Sequence, residues 1–381
     1  MDRLSGVVRP YAWGSRTVIA ELQGRPVPST VPEAELWFGA HPTDPSTVDG
    51  VSLADVVARD PGRALGPAVV DRFGPRLPYL VKVLAAEQPL SLQAHPDATQ
   101  ARTGYAAADP NYVDPYHKPE LLVAVSEFEA LCGFRDPLMS ARALSGVDLP
   151  ALDPVAVRLA GSGPVADRLR YAMTTLLSWP ADTLADTVST VAGRSGSALI
   201  GELARRYPAD PGVLVTMLLN HVRLAPGEAI WMPAGNLHTY VRGTGVEVMA
   251  ASDNVLRGGF TAKRVDVAEL LRVLRFEVLA DPVVRAVDVA PGVLAWPAPV
   301  DDFALCRVSV DGTAVDLAAR GPRVALCLAG EVTVEDGVAA VTLRPGEGAF
   351  GPADAGPLTI TGHGEVYLAT PGLDRQAASA R

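Results

Sequence analysis

Residues 226–238, Pro-Gly-Glu-Ala-Ile-Trp-Met-Pro-Ala-Gly-Asn-Leu-His, constrain the fold more than any other stretch of the chain. Pro226 and Gly227 suit a turn that opens a strand, Ala229 to Met232 read as a short apolar strand, and Pro233, Ala234, Gly235 and Asn236 turn the chain again. Such a unit belongs in a sheet of short strands, and its second turn delivers His238 to a fixed place on that scaffold. The unit recurs. Residues 343–353 align with 224–234, with five residues between the glycine and the second proline in both copies, and the position of His238 falls on Pro357. The echo predicts a second barrel of the same kind that has lost its ligand, serving as a structural or interaction domain.

Periodicity divides the rest. Residues 4–134 alternate short apolar runs with Gly, Pro and Asp, and 78–86 and 121–126 read as strands. From Asp136 the spacing turns helical, as in Val165, Leu169, Ala172, Met173, Leu176 and Leu177, with further helical segments at 181–191, 197–207 and 212–221. Strand patterning resumes at Glu228 and runs to about Val248, a helix is expected over 266–273, and the end of the chain is again β-like. A chain of 381 residues exceeds one compact core. The expectation is a mainly β protein with an α-helical insert: a catalytic β domain from 1–136 and 221–300, the insert at 137–220, and a second β domain at 301–381.

Composition narrows the chemistry. The net charge of -10 with no basic run argues against nucleic acid or anionic membranes as partners. No apolar run is long enough to cross a bilayer, and the N-terminus has no leader-like apolar region. Cys132, Cys306 and Cys327 form no C-x-x-C and read as small core residues in a reducing cytoplasm. A metal in this chain would therefore be held by His, carboxylate or amide.

Three segments supply such groups. In Ser91-Leu92-Gln93-Ala94-His95-Pro96-Asp97 an extended backbone puts Gln93 and His95 on one face of a sheet. Their amide oxygen and imidazole nitrogen both suit a borderline metal. Tyr116-His117-Lys118-Pro119-Glu120 gathers three polar groups at the mouth of an apolar strand, and Pro119 keeps the run out of a helix. In the run from Asp253 to Lys263, Arg257 and Lys263 stand six apart around Gly258 and Gly259, an arrangement suited to an oxyanion or phosphate. His41, in Trp37-Phe38-Gly39-Ala40-His41-Pro42, joins His95, His117 and His238 in motif-like segments. His221, at a helix end, and His363, in the last domain, read as structural or exposed.

With Tyr11-Ala12-Trp13-Gly14-Ser15, Glu35-Leu36-Trp37, Pro233 to His238 and Ser252 to Arg257, these segments stand in an order, over residues 5–275, that resembles the type I phosphomannose isomerases. These are zinc enzymes of the cupin superfamily. The resemblance implies a cupin jelly-roll (double-stranded β-helix) catalytic domain and a second, degenerate cupin-like β domain. It carries the family's zinc ligands onto Gln93, His95, Glu120 and His238, with one ion per chain, and the catalytic arginine onto Arg257. The phosphate-binding positions fall on Lys82, Ser91 and Lys263, with Trp13 near the substrate, and Lys118, Tyr240, Glu247 and Asp253 match pocket positions. Ala98 stands where many members carry lysine and Tyr116 where asparagine is frequent; neither is a ligand position.

The implied reaction interconverts mannose 6-phosphate and fructose 6-phosphate, moving a proton between C2 and C1 through a cis-enediol. Arg257 stays protonated at neutral pH, which assigns it to charge stabilisation and positioning. The proton-transfer group is open among Lys118, His41, Glu247 and Asp253. An iron-dependent cupin oxidoreductase would use two histidines and a carboxylate, but Gln93 and the Lys/Arg cluster suit a phosphosugar better. A non-catalytic sugar-binding cupin is opposed by four ligands standing together with Arg257. A monomer or weak homo-oligomer in the cytoplasm, with a phosphosugar as its small-molecule partner, completes the expectation.

Overall fold

Thirteen residues, His238–Ala250, form one strand shared by both walls of a barrel in the computed structural model, which describes residues 1–374. Residues 375–381 of the expected C-terminal domain lie outside the described residues. The first half of this strand pairs with Phe128–Phe134 and, at His238, with Gln93. The second half lies antiparallel between Tyr79–Ala86 and Glu120–Ala124. The change of partner falls at a bulge between Tyr240 and Arg242. Gly243 follows at φ +123°, where a Cβ would meet Glu127 O at 2.7 Å, so only glycine fits. A strand bent in this way rolls the sheet into the expected jelly roll.

Side-chain alternation explains why the central strands look uniformly apolar. Val81, Val83, Leu121 and Val123 face a second barrel, whereas Leu84, Leu122 and Ala124 face the first barrel's interior. Both faces are covered, so no polar alternation remains to read. The apolar layer between the barrels also holds Leu36, Phe38, Val246 and Val248 from one side and Leu305, Val324, Leu326, Phe350 and Tyr367 from the other. The buried Tyr79 hydroxyl crosses it, donating to Pro322 O (2.8 Å) and Ala369 O (3.2 Å). Tyr79→Phe keeps the ring and strips both carbonyls of that donor. It is expected to lower the unfolding free energy by ~1–3 kcal/mol. Denaturant titration checks this, and an unmoved midpoint would mean the bond contributes nothing.

The second barrel repeats the first down to its turns. Gly227 N–H donates to Ala124 O (2.8 Å) and Gly346 N–H to Cys327 O (2.9 Å). The Glu228 side chain accepts from Ala225 N–H (3.0 Å) as Glu347 does from Arg344 N–H (2.8 Å). The strand after each turn then pairs in the same register, with Met232 opposite Glu120 in the first barrel and Gly351 opposite Arg323 in the second. The long strand Leu358–Thr370 answers to His238–Ala250. Its first inward-facing residue is Leu358, one beyond the expected Pro357, because the loop before it is one residue longer. Leu358 lies opposite Leu317, as His238 lies opposite Gln93. The interior that holds polar groups in the first barrel is filled in the second by Val308, Val332, Val334, Leu343, Ile360 and Val366. Arg323, in the place of Glu120, is buried and donates to Ala319 O and Gly356 O, both at 2.8 Å.

The insert is helical from Pro137–Ser145 to Ala198–Arg206, the latter capped by Ser197, whose Oγ accepts from Ile200 N–H (3.3 Å). The expected helix over 212–221 is corrected. Helix holds only through Gly212–Val215 and a 3₁₀ turn at Thr216–Leu218, and Leu219–Leu224 is a strand on Phe128–Phe134. Alternate burial of Val222 and Leu224 and the Asn220 amide, donating to Leu279 O (2.8 Å) and Cys132 O (3.1 Å), favour the sheet. His221 therefore stands on a strand, facing Glu129 (2.6 Å). The helix expected over 266–273 is Val267–Val273, capped by Asp266. The barrels also exchange chain segments. Asp2–Ser5 pairs with Gly348–Gly351, and the backbone passes into the C-terminal sheet between Val283–Val284 and Val287–Ala290, ahead of residue 300.

Candidate metal centre and active site

His95 and His238 reach one point because their turns are stitched together. Gly235 N–H donates to His95 O (2.7 Å), and Gly235 O accepts from Arg275 N–H (3.0 Å). A Cβ on Gly235 would sit 2.7 Å from Arg275 Cγ, so the turn requires glycine. Glu120 enters from the neighbouring strand, with Met232 and Met249 opposite it on either side. All three side chains are buried. His95 Nε2 lies 3.4 Å from Glu120 Oε1, and His238 Nε2 lies 3.3 Å from Glu120 Oε2.

Backbone carbonyls fix the histidine tautomers. His95 Nδ1 bonds Asn254 O (2.7 Å) and His238 Nδ1 bonds Asn236 O (3.1 Å). A carbonyl only accepts, so each Nδ1 carries the proton and each Nε2 presents a lone pair. Burial pushes His95 down to about 4, against the pull of Glu120, so the ring is neutral near neutral pH. Burial also presses the Glu120 carboxyl up, but the neighbouring Lys118 ammonium foremost outweighs it, and the carboxyl is held well below the usual range. Two bare nitrogens and a carboxylate thus converge with no proton between them, and His95 Nε2 and Glu120 Oε2 have no hydrogen-bond partner. Their donor atoms all lie within 4.8 Å of one another. That arrangement repels itself until a cation sits among the donors, and the N/O set suits zinc. Gln93 stands at the fourth corner, with Nε2 3.4 Å from His238 Nε2 and Oε1 3.3 Å from Ser91 Oγ. Turning its amide over would aim Oε1 at the centre and let Nε2 donate to Ser91.

Above this cluster opens a cleft of about 590 Å³, lined by Trp13, Lys82, Ser91, Gln93, Lys118, Asp253, Arg257 and Lys263 among others. Lys118 Nζ lies 3.0 Å from Glu120 Oε1. Arg257 is half-buried, burial lowers its pKa, and its guanidinium makes no hydrogen bond or ion pair with a described residue. An unpartnered guanidinium at a cleft wall is a ready anion site. A larger cavity of about 960 Å³ lies away from the cluster, beside the echoed turn, and its arginines are already paired, Arg25 with Glu33 and Arg344 with Glu331.

Three other expected site residues lie behind the cleft wall. Glu247 is buried 3.2 Å from Lys82 Nζ and accepts from the Tyr240 hydroxyl (2.7 Å), so Tyr240 turns into this network. Burial raises the Glu247 pKa against the pull of Lys82. Burial disfavours the Lys82 ammonium, yet Glu35, 3.7 Å away, and Glu247 hold its pKa above the ordinary value. His41 is buried edge-on to Trp37, its Nε2 3.4 Å from Asp253 Oδ1, and burial lowers its pKa. Sequence reasoning missed the Asn254 and Asn236 carbonyls that set the tautomers, the Trp37 indole that donates to Glu35 (2.6 Å), and Tyr207, which brings the helical insert to the cleft. Asn236, Asn254 and Trp37 all lie inside motif segments and so had a local signal, whereas Tyr207 had none.

A His-Glu-His cluster inside a jelly-roll barrel, beneath a cationic cleft, defines a metal-dependent enzyme of the cupin class. Residues 1–137 match the model of the phosphomannose isomerase type I catalytic domain, and 293–371 match the mannose-6-phosphate isomerase cupin domain. The chain is 37% identical to mannose-6-phosphate isomerase of Escherichia coli (strain K12) over 96% of this chain and 98% of that one. It is 32% identical to mannose-6-phosphate isomerase 1 of Arabidopsis thaliana over 93% and 90%. Among solved structures, a mutant phosphomannose isomerase from Salmonella typhimurium superposes with a TM-score of 0.90 at 34% identity, covering 98% of this chain and all of that one. A mannose 6-phosphate isomerase bound with zinc and yttrium gives 0.88 at 34%, over 97% and 99%. The chain belongs to the type I mannose-6-phosphate isomerases. Among the described residues no helix is long and apolar enough to cross a membrane.

Proposed function

We propose that this chain interconverts mannose 6-phosphate and fructose 6-phosphate, with one zinc ion held by His95, Glu120 and His238 and joined by Gln93. The observation that carries the reading is the convergence on one point of two imidazole Nε2 atoms, whose Nδ1 atoms are bound to backbone carbonyls, and a buried carboxylate. Zinc there supplies a Lewis acid that orders sugar oxygens and polarises a carbonyl. The chain does the rest. Ser91 and Lys263 line the cleft and suit the phosphate, and holding that remote group turns binding energy toward the reacting carbons. The Trp13 and Trp37 rings wall the site from water. A base takes the proton from C2 of the aldose, the enediolate forms, a proton passes from O2 to O1, and the carbon-bound proton is delivered to C1. Arg257 faces the developing charge as a fixed cation.

Of the four candidate bases, Lys118 and Asp253 line the cleft, which favours them over His41 and Glu247. Lys82, enclosed by two carboxylates, suits a role in holding Glu247 better than a direct phosphate contact. The oxidoreductase and sugar-binding alternatives are not favoured, since the relatives are isomerases along nearly the whole chain. All site residues come from one chain, so a monomer or weak homo-oligomer suffices, and three free cysteines accord with a cytoplasmic enzyme. Dialysis against a chelator is expected to abolish turnover of mannose 6-phosphate, and equimolar zinc to restore it. Full turnover in protein shown to be metal-free would sink the reading.

A further inference from the structure

The loop carrying Arg257 and Lys263 is held from outside the barrel. Asp210, beyond the last long helix of the insert, accepts from Gly212 N–H (2.7 Å) at one oxygen and from Phe260 N–H (2.6 Å) at the other. The two backbones meet at paired glycines. A Cβ on Gly259 would lie 2.6 Å from Asp210 Oδ1 and 2.9 Å from Gly212 Cα, and one on Gly212 would lie 3.2 Å from Gly259 Cα. Phe260 sits at φ +56°, a left-handed conformation that a bulky residue keeps only when its surroundings enforce it. Here the enforcing group is the carboxylate bonded to its own amide. The outcome is visible in the cleft: the Phe260 and Tyr207 rings meet at 5.1 Å, and both line the wall with Arg257, Thr261 and Lys263. No described side chain holds the Arg257 guanidinium by a hydrogen bond or ion pair, so its aim depends on where the backbone places it.

We propose that Asp210 is a positioning residue for the isomerisation, through which the helical insert fixes the backbone of 257–263 and so aims Arg257 and Lys263 at the anionic substrate. This rests on the isomerase reading above. A carboxylate is suited to the task because it accepts several amides at once, whereas a carboxamide offers one oxygen and turns an NH₂ toward the second donor.

The test is Asp210→Asn in the zinc-loaded enzyme, with Gly259→Ala as a second variant that drives the loop off an intact carboxylate. Each is expected to lower kcat/KM about 30-fold, near 2 kcal/mol by the tenfold-per-1.36 rule. Inorganic phosphate, measured by calorimetry, is expected to bind more weakly in parallel, with zinc per chain unchanged. In a Lys263→Ala background, Asp210→Asn is expected to cost under about fivefold, because part of what it positions is gone. Three results would overturn the proposal: kcat/KM within twofold of the unsubstituted enzyme in both variants, equal losses in the two backgrounds, or loss of zinc. If the unsubstituted protein binds phosphate yet does not turn over mannose 6-phosphate, the isomerase reading fails and Asp210 is judged on the phosphate data alone.

Discussion

Arg257→Ala is expected to lower kcat/KM by roughly 100- to 1,000-fold while zinc stays near one per chain, the range seen when one preorganised donor is removed from a developing oxyanion. The two halves of that result have different physical sources. Arg257 sits on the strand Leu256–Gly259, opposite Gln93, so its backbone adjoins a ligand strand. Its side chain, however, has no bond to any ligand, and no ligand depends on it for its tautomer or charge. Its partial burial strengthens any charge it meets, since less water screens the pair. Steady-state kinetics with metal analysis of the same sample checks both halves. Loss of the metal would show that the role given to Arg257 is wrong.

Glu120→Gln is expected to weaken zinc binding by roughly 100- to 1,000-fold. That follows if about 10–16 kcal/mol of zinc affinity is shared over four donors. The replacement keeps shape and an acceptor and removes only the charge. A second cost follows, because Lys118 is buried and Glu120 is its ion-pair partner at 3.0 Å. Leaving that ammonium unpaired costs about 3–5 kcal/mol of folding stability. The metal-free variant should therefore unfold at distinctly lower denaturant than metal-free unsubstituted protein. Zinc competition against a chromophoric chelator reads the first effect. Unchanged zinc affinity would remove Glu120 from the ligand set.

The elements that announced themselves in the sequence are those whose signals are local. Pro226-Gly227 and Pro345-Gly346 make the same hydrogen-bonded turn wherever they occur, and Ser197 and Asp266 cap the helices they precede. Residues 212–221 misled because Val213, Leu214, Met217 and Leu218 suit a helix, and only pairing with Phe128–Phe134 tells where it gives way to strand. Depth is equally non-local. Glu247 and Tyr240 share a strand with His238, but Glu247 stands an odd number of residues away and joins their inward face only through the bulge between Tyr240 and Arg242, and how far each lies below the cleft depends on strands distant in sequence. Asp210 left no mark, since a lone aspartate after a helix reads as an ordinary turn residue. What it holds lies 50 residues away.

The pairing of Glu120 with Arg323 at matching places in two barrels carries one last consequence. One barrel must recruit a positive charge from solution, so the contents of its interior follow the supply of metal around it. The other carries a positive charge written into its own polypeptide, bonded to Ala319 and Gly356, with aliphatic side chains filling the remaining room. Two copies of one framework thus respond differently to scarcity. When zinc is withdrawn, half of the architecture loses a component and the half that braces it loses none.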